Sequence, residues 1–273
     1  MDEIFLEAEM DSVQIREFLG GMAAVFSIRS PAKSTPNEDV AAILGFDEEA
    51  GLLVICDGVG GSPLGGVAAR VATEEIQAHL QSAAGSGQSL REAILNGLES
   101  ANRMVLGLGQ GAATTIALAE FQAGSVRPYH VGDSVVLITG QRGRMRLQTI
   151  AHSPVGYAVE SGLLDENEAV HHAERHLVSN VVGAPEMRID MGPGIELRPR
   201  DTVLVASDGL FDNLYVEEIV NVVRAGPLER VANELARQCL SRMNAPEGAP
   251  LSKPDDLSFI LFRRDRREVA RKV

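Results

Sequence analysis

The order in which hydrophobic periodicities succeed one another constrains the fold of this chain more than any other feature. Short β-type runs come first: MAAVFSI (22–28), VAAILGF (40–46) and LLVICD (52–57), with a Pro/Ser/Lys loop between Ser30 and Pro36. After DGVGGSPLGG the period lengthens. Ala68, Ala72, Ile76 and Leu80 recur every four residues and predict a helix over about 65–82 with one apolar stripe. SAAGSGQS (82–89) reads as a loop, and Leu90, Ala93, Ile94, Leu98, Ala101 and Val105 mark a second long helix. TTIALAEF, GSVRPYHVGDS, VVLITG and RMRLQTI then follow through Gly-bearing turns as a meander. TVLVASD (202–208) reads as a strand, Val216–Arg224 and Leu228–Met243 as helices, and LSFILF (257–262) as a closing strand. Strands and helices do not alternate, which argues against a doubly wound parallel sheet or a barrel of βα units. An antiparallel α+β core with helices on its faces fits. No linker or repeat divides the sequence, so one domain over 1–273 is expected.

Charge and cysteine content exclude several function classes. The 273 residues carry a net charge of −13, which opposes non-specific attraction to nucleic acid or an anionic membrane. Two cysteines are too few for a disulfide scaffold or a Cys-rich zinc or iron–sulfur site, and Cys56 within GLLVIC reads as a buried thiol. The start, MDEIFLEAEMD, lacks the basic segment of a secretory signal, and no apolar run approaches 18 residues. A soluble, cytoplasmic protein with no membrane span is expected. Residues 263–273 (RRDRREVARKV) reverse the balance with a net of +4. This basic tail reads as a solvated helix end or as a contact for an acidic partner.

The acids at the ends of apolar runs carry the chemical signal. Four turns stand out: NED (37–39), DGVGG (57–61), SDG (207–209) and PDD (254–256). A carboxylate at a strand end is held by rigid backbone, and a following glycine permits a sharp turn or close approach to a ligand. Hard divalent cations such as Mg²⁺ and Mn²⁺ prefer oxygen ligands, so converging turns of this kind would make a carboxylate-rich metal centre. Two of them follow strand–Asp–Gly, which is also a common structural turn, and intervals of 18, 151 and 47 residues do not by themselves bring the acids together.

With NED, VICDGVGG (54–61), GAATT (111–115), HVGDS (130–134), VASDGLFD (205–212) and PDDLSFI (254–260) in this order, the chain resembles the metal-dependent protein serine/threonine phosphatases of the PPM, or PP2C, type, as a bacterial-like member. The resemblance runs from about Ala23 to Phe262. It implies a four-layer α-β-β-α sandwich with two central, mostly antiparallel sheets and a two-metal centre at one end. By motif match, Asp57 resembles the carboxylate shared by both ions, and the Gly58 carbonyl a ligand of one. Asp208 and Asp255 resemble ligands of the first ion. Glu38 resembles the residue that holds a water on the second, with Asp39 behind it. Asp133 resembles the acid that some bacterial members use with Asp208 for a weaker third ion. The resemblance further implies Mn²⁺ or Mg²⁺, direct attack of metal-activated water on phosphoserine or phosphothreonine, and substrates of a bacterial-type Ser/Thr kinase.

Departures from the pattern concern the substrate more than the metals. Ser34 stands where many members carry a phosphate-clamping Arg, so Lys33 is the preferred phosphate contact, with Arg29 as the alternative; a lysine lacks the bidentate fork. Val59 replaces the histidine of animal-type members, and His152 is a candidate proton donor or a structural histidine. Asp256 stands where asparagine is usual. Residues 151–180 match the family's flap, with a short helix around Leu164–His171 and Gly156 and Gly162 suited to a flexible element. His171, His172 and His176 there read as surface polarity. Two alternatives remain: a regulatory phosphatase acting on anti-anti-sigma proteins, and a phosphoprotein-binding pseudophosphatase without turnover.

Overall fold

Side-chain alternation decides which layer each strand joins. The computed structural model describes residues 2–60, 64–246 and 251–264. One sheet has the order β1 (Glu3–Leu6), β4 (Asp39–Gly45), β5 (Ala50–Gly58), β6 (Thr114–Gln122), β7 (Ser125–Val131) and β10 (Asp190–Met191), with β11 (Ile195–Glu196) also on β7. The other runs β2 (Gln14–Phe18), β3 (Gly21–Ile28), β13 (Leu257–Arg264), β12 (Thr202–Ala206), β8 (Val135–Thr139) and β9 (Met145–Gln148). Every named strand pair among the described residues is antiparallel. In β4 and β5 the run is apolar without a break, because both faces are buried. Ala41, Ile43, Leu53 and Ile55 point toward the second sheet. Val40, Ala42, Leu52, Val54 and Cys56 point the other way, onto α1 (Gly65–Ala83) and α2 (Leu90–Leu108).

The outer layers use the periodicity read from the sequence. Ala68, Ala72, Ile76 and Leu80 of α1 are fully buried against β4 and β5, and α2 packs beside α1. α2 starts with a reciprocal cap: Ser89 Oγ accepts from Glu92 N at 3.3 Å, and Glu92 Oε2 accepts from Ser89 N at 2.9 Å. On the far side, α6 (Val216–Val223) and α7 (Leu228–Met243) bury Ile219, Val231, Leu235 and Cys239 in the cluster shared with β3 and β13. The result is the expected α+β sandwich, two antiparallel sheets between helices. Between the sheets, the rings of Phe18, Phe121 and Phe262 meet edge to face at centroid distances of 4.7–5.8 Å. Gly51 makes room for them, since a Cβ there would stand 3.0 Å from the Phe18 ring and 2.6 Å from the Leu44 carbonyl.

Four details differ from the sequence reading. β1 and β2 do not appear in it, because edge strands such as EIFL and QIREF are only partly buried and carry charge; Arg16 of β2 pairs Glu3 of β1 at 2.6 Å. The flap holds two helices, α3 (Pro154–Glu160) as well as α4 (Glu166–Ala169). Ser153 caps α3 by accepting from Gly156 N at 2.9 Å, with Pro154 in its first turn, a start signal hidden by the surrounding polar residues. Gly156 is therefore not a hinge: it lies inside α3, where a Cβ would press on the Ala151 carbonyl. Finally, the basic segment does not begin free of the fold. Arg263 and Arg264 extend β13, and Arg263 donates to Thr202 Oγ1 at 2.7 Å and to the Val223 and Gly226 carbonyls beyond α6. The rest of the tail, 265–273, lies outside the described residues.

Two substitutions separate the core from the cap. Phe262→Ala should cost about 3–5 kcal/mol, since it empties the aromatic contact between the sheets. Ser89→Ala should cost about 1 kcal/mol. Urea unfolding followed by circular dichroism measures both, and the order of the two losses is the check on the layer assignment.

Candidate metal centre

The register of β4 on β5 places Asp39 directly opposite Asp57. Both acids continue the rows whose apolar members, Ala41 and Ile55, face the second sheet, so the carboxylates enter the space between the sheets at its edge. Like charges opposed across an antiparallel pair are destabilising unless something offsets them. The second sheet brings more acid to the same place. Asp208 begins α5 (Asp208–Phe211) two residues after Ala206 ends β12, and Asp255 and Asp256 immediately precede β13. Asp133 sits in the turn that carries the chain from β7 in one sheet to β8 in the other.

Hydrogen bonds fix this cluster from behind. Asp39 is 1% exposed; its Oδ2 accepts from Ser207 Oγ at 2.9 Å, while Oδ1 has no hydrogen-bond partner among the described residues. Ser207 Oγ also accepts from Ser258 N at 3.1 Å, joining β12 to β13 below the acids. Asp256 is buried and accepts from Ser30 N and Glu38 N, both at 2.8 Å, so it organises the NED loop. Thr114 Oγ1 donates to the Asp57 carbonyl at 2.7 Å. The glycines after the acids are required by packing. A Cβ on Gly58 would strike the Gly65 backbone at the start of α1, and one on Gly209 would strike the Asp256 carbonyl. Gly132 has φ of +103° and lies where a Cβ would be 2.5 Å from Thr115 Cβ, so only glycine lets this turn present Asp133.

The electrostatics are those of carboxylates crowded in a poorly hydrated cleft. Burial, and then Asp256, hold the Asp39 carboxyl well above the usual range. Burial, and then Asp39, Asp208, Asp255 and Asp133, do the same to Asp57. Asp133 is pushed up to about 8 by burial and by Asp208 and Asp212, and Asp255 and Asp212 to about 6 by burial and Asp208. Two ammonium groups reach in. Lys33 pairs with Glu38 and with Asp256 Oδ2 (2.8 Å), and Lys253 pairs with Asp212 and with Asp208 Oδ2 (3.0 Å). An orphaned buried carboxylate oxygen, opposed acids and an all-oxygen donor set are what hard divalent cations fit.

Asp39, Asp133, Asp208 and Asp255 all act electrostatically on Asp57, and Glu38 is paired with Lys33 beside them. Lys33 reaches the same rim, held by two carboxylates. Arg29 does not: it pairs with Glu9 at 3.1 Å. Sequence reasoning did not single out Asp212 or Lys253, since neither follows the strand–Asp–Gly pattern. His171, His172 and His176 are exposed, as expected for surface polarity. A groove of about 360 Å³ opens beside Asp133, Asp208 and Asp212 and continues under the flap along Val155, Val159 and Arg175.

A second cluster lies behind the Gly132 turn. His130, His152 and Asp190 bring potential ligand atoms within 4.8 Å of one another, close enough to hold a metal ion. Asp190 reaches it because β10 pairs Asp190 with His130. The imidazoles stack at 4.3 Å, and His130 is held neutral, down to about 4, by burial and by His152. Gly132 N donates to His152 Nδ1 at 3.1 Å, which leaves the proton of the neutral ring on Nε2, 3.1 Å from Asp190 Oδ2. The buried His152 side chain contacts Gly132, Asn180 and Asp190, so it braces the Asp133 turn instead of donating a proton at the acid cleft.

The fold and the acid-lined end of the sandwich define a phosphatase architecture. Residues 30–246 match the protein phosphatase 2C family model, and the chain belongs to that family. Protein phosphatase PhpP of Streptococcus pneumoniae is 28% identical over 216 residues, covering 75% of this chain and 86% of that one. The Listeria monocytogenes serine/threonine phosphatase stp is 24% identical over 246 residues, covering 84% and 90%. The solved structure of serine/threonine phosphatase Stp1 from Staphylococcus aureus superposes with a TM-score of 0.77 at 26% identity, covering 94% of this chain and 100% of that one.

The raised carboxyls make a signed prediction about pH. A carboxyl whose folded pKa exceeds its unfolded value binds its proton more tightly in the folded state, so stability falls as pH rises toward the folded pKa. His130 is depressed and contributes in the opposite direction, but only below its unfolded value near 6.5. Between pH 6.5 and 8 the Asp133 contribution therefore stands alone among groups with assigned values. In chelator, the melting temperature should drop across that window. Added Mn²⁺ should raise it most at the upper end, where the ligands are ionised. A melting temperature that climbs with pH in chelator contradicts the charge crowding described above.

Proposed function

We propose that this chain is a metal-dependent phosphoprotein phosphatase that removes phosphate from phosphoserine and phosphothreonine. The observation that carries the reading is the opposed Asp39–Asp57 pair, with Asp39 buried and its Oδ1 without a hydrogen-bond partner among the described residues, met from the second sheet by Asp208 and Asp255. Family membership and the bacterial serine/threonine phosphatases similar to this chain support it. Two Mn²⁺ or Mg²⁺ ions are assigned to Asp57, the Gly58 carbonyl, Asp208, Asp255 and Glu38, with Asp39 behind them and Asp133 available to a weaker third. When bound, such ions acidify water to a nucleophile and offset charge on the phosphoryl oxygens.

The chain's own residues hold and orient. Ser207 anchors Asp39 opposite Asp57, and Asp256 fixes Glu38 through its backbone amide. Lys33 is the phosphate contact: its ammonium stands between Glu38 and Asp256, 25% exposed, and can share a third partner on its open side. Val59 offers no proton, so leaving-group protonation falls to solvent in the cleft. The groove under the flap lies where residues flanking the phosphorylated side chain would pass. Substrates of a bacterial-type Ser/Thr kinase in the cytoplasm are the corresponding setting; no helix among the described residues is long and apolar enough to cross a membrane.

A phosphothreonine peptide assay with added Mn²⁺ tests the reading. Release of phosphate should be abolished by chelator, and Asp57→Asn or Asp208→Asn should lower kcat/KM at least about 100-fold in folded protein. Lys33→Ala should act mainly on KM. Full activity in Asp57→Asn sinks the assignment. Tight phosphopeptide binding without turnover would make the chain a binding protein on the same scaffold.

A further inference from the structure

Lys253 is placed where the phosphatase reading has no use for a cation. Its Nζ lies 3.0 Å from Asp208 Oδ2 and 3.5 Å from Asp255 Oδ2, and it pairs with Asp212. Asp208 and Asp255 are the two carboxylates assigned together to one ion. The residue's backbone is clamped. Lys253 N donates to Asn213 Oδ1 at 2.9 Å, and Asn213 Nδ2 donates to the carbonyls of Lys253 (2.7 Å) and Gly209 (2.9 Å). Asn213 itself is fully buried, so the segment before Asp255 is locked to the helix that begins at Asp208. Only the flexible side chain of Lys253 is free to leave the acids.

We propose that Lys253 is a tethered counter-cation that competes with a divalent ion for Asp208 and Asp255, so that loading this half of the centre requires its side chain to swing out. The inference rests on the metal reading given above. An ammonium held on Asp208 Oδ2 and Asp255 Oδ2 opposes a divalent ion at the same carboxylates, since the two cations repel at this distance and the N–H groups take lone pairs the ion could use. Without metal, the ammonium offsets part of the repulsion among acids that the two sheets force together. With metal it becomes a local cost that the ion must overcome, which sets the metal concentration at which the centre fills. Lys33 balances Glu38 and Asp256 at the opposite rim, but it touches one assigned ligand where Lys253 touches two.

Manganese binding by the full chain, followed by calorimetry and by the loss of the free-ion electron spin resonance signal, tests this at fixed pH. Lys253→Met should bind its weakest tightly held Mn²⁺ at least about tenfold more strongly than wild type, or take up one ion more. Lys253→Arg, which keeps the charge, should not. In chelator, Lys253→Met should melt lower than wild type and gain more on adding Mn²⁺. If Lys253→Met does not fold, Lys253→Gln carries the same measurement. Wild-type affinity and stoichiometry in the neutral variants, or weaker binding, overturn the proposal. An Asp57→Asn arm separates the two claims. Uptake lost in Asp57→Asn but unchanged by neutralising Lys253 leaves the metal reading standing and removes only the role of Lys253. Uptake unaffected by Asp57→Asn removes both.

Discussion

The pairing of β4 with β5 forces two carboxylates to face each other at the edge of a dry interior, and much of the rest of the molecule answers that constraint. Asp39 and Asp57 cannot separate without breaking a register that continues through Val40–Cys56 to Gly45–Gly51. The register in turn is pinned by burial on both faces, since a one-residue slip would exchange the row under α1 with the row facing the second sheet. The repulsion is therefore sustained by packing energy collected over two strands. Ser207 relieves it locally by donating to Asp39, and Lys33 and Lys253 pair with the neighbouring acids Asp256 and Asp208.

The centre is rigid because its parts come from different layers. One sheet contributes Asp39 and Asp57; the other contributes Asp208 and Asp255 from the ends of neighbouring strands; the β7–β8 crossover contributes Asp133. Ser207 and Ser258 lock β12 to β13 beneath the acids, and His152 with Asp190 props the Gly132 turn from behind. The flap, by contrast, borders the cleft through short helices and one groove wall. This arrangement separates the charged machinery, held by backbone registers, from the surface that meets flanking residues.

Much of the site was legible in the sequence because strand–Asp–Gly turns carry their own local signature. Asp57 and Asp208 read out that way, Asp39 and Asp255 as acids in strand-end turns, and Glu38 and Asp133 only through the resemblance of NED and HVGDS to the family's motifs, while the α1 and α2 stripes set the outer layer. What escaped notice had no local mark. β1 and β2 are partly buried edge strands whose charges hide the alternation. α3 starts from Ser153 and Pro154 inside a polar stretch. Lys253 and Asp212 acquire meaning only from their neighbours. His152 was open to a catalytic or a structural role; in the fold its Nδ1 accepts from the backbone amide of Gly132.

By itself, the sequence determined the order of the central strands and long helices and the acids at strand ends, because periodicity and strand-end turns act over a few neighbouring residues. Tertiary structure alone decided that acids 18, 151 and 47 residues apart crowd into one cleft, since strand pairing and sheet stacking are long-range choices that no short window records. It also decided what offsets their charge. A lysine two residues before Asp255 is an ordinary loop residue in sequence; folded, its ammonium stands among three carboxylates because Asn213 clamps its backbone to the segment that follows Asp208.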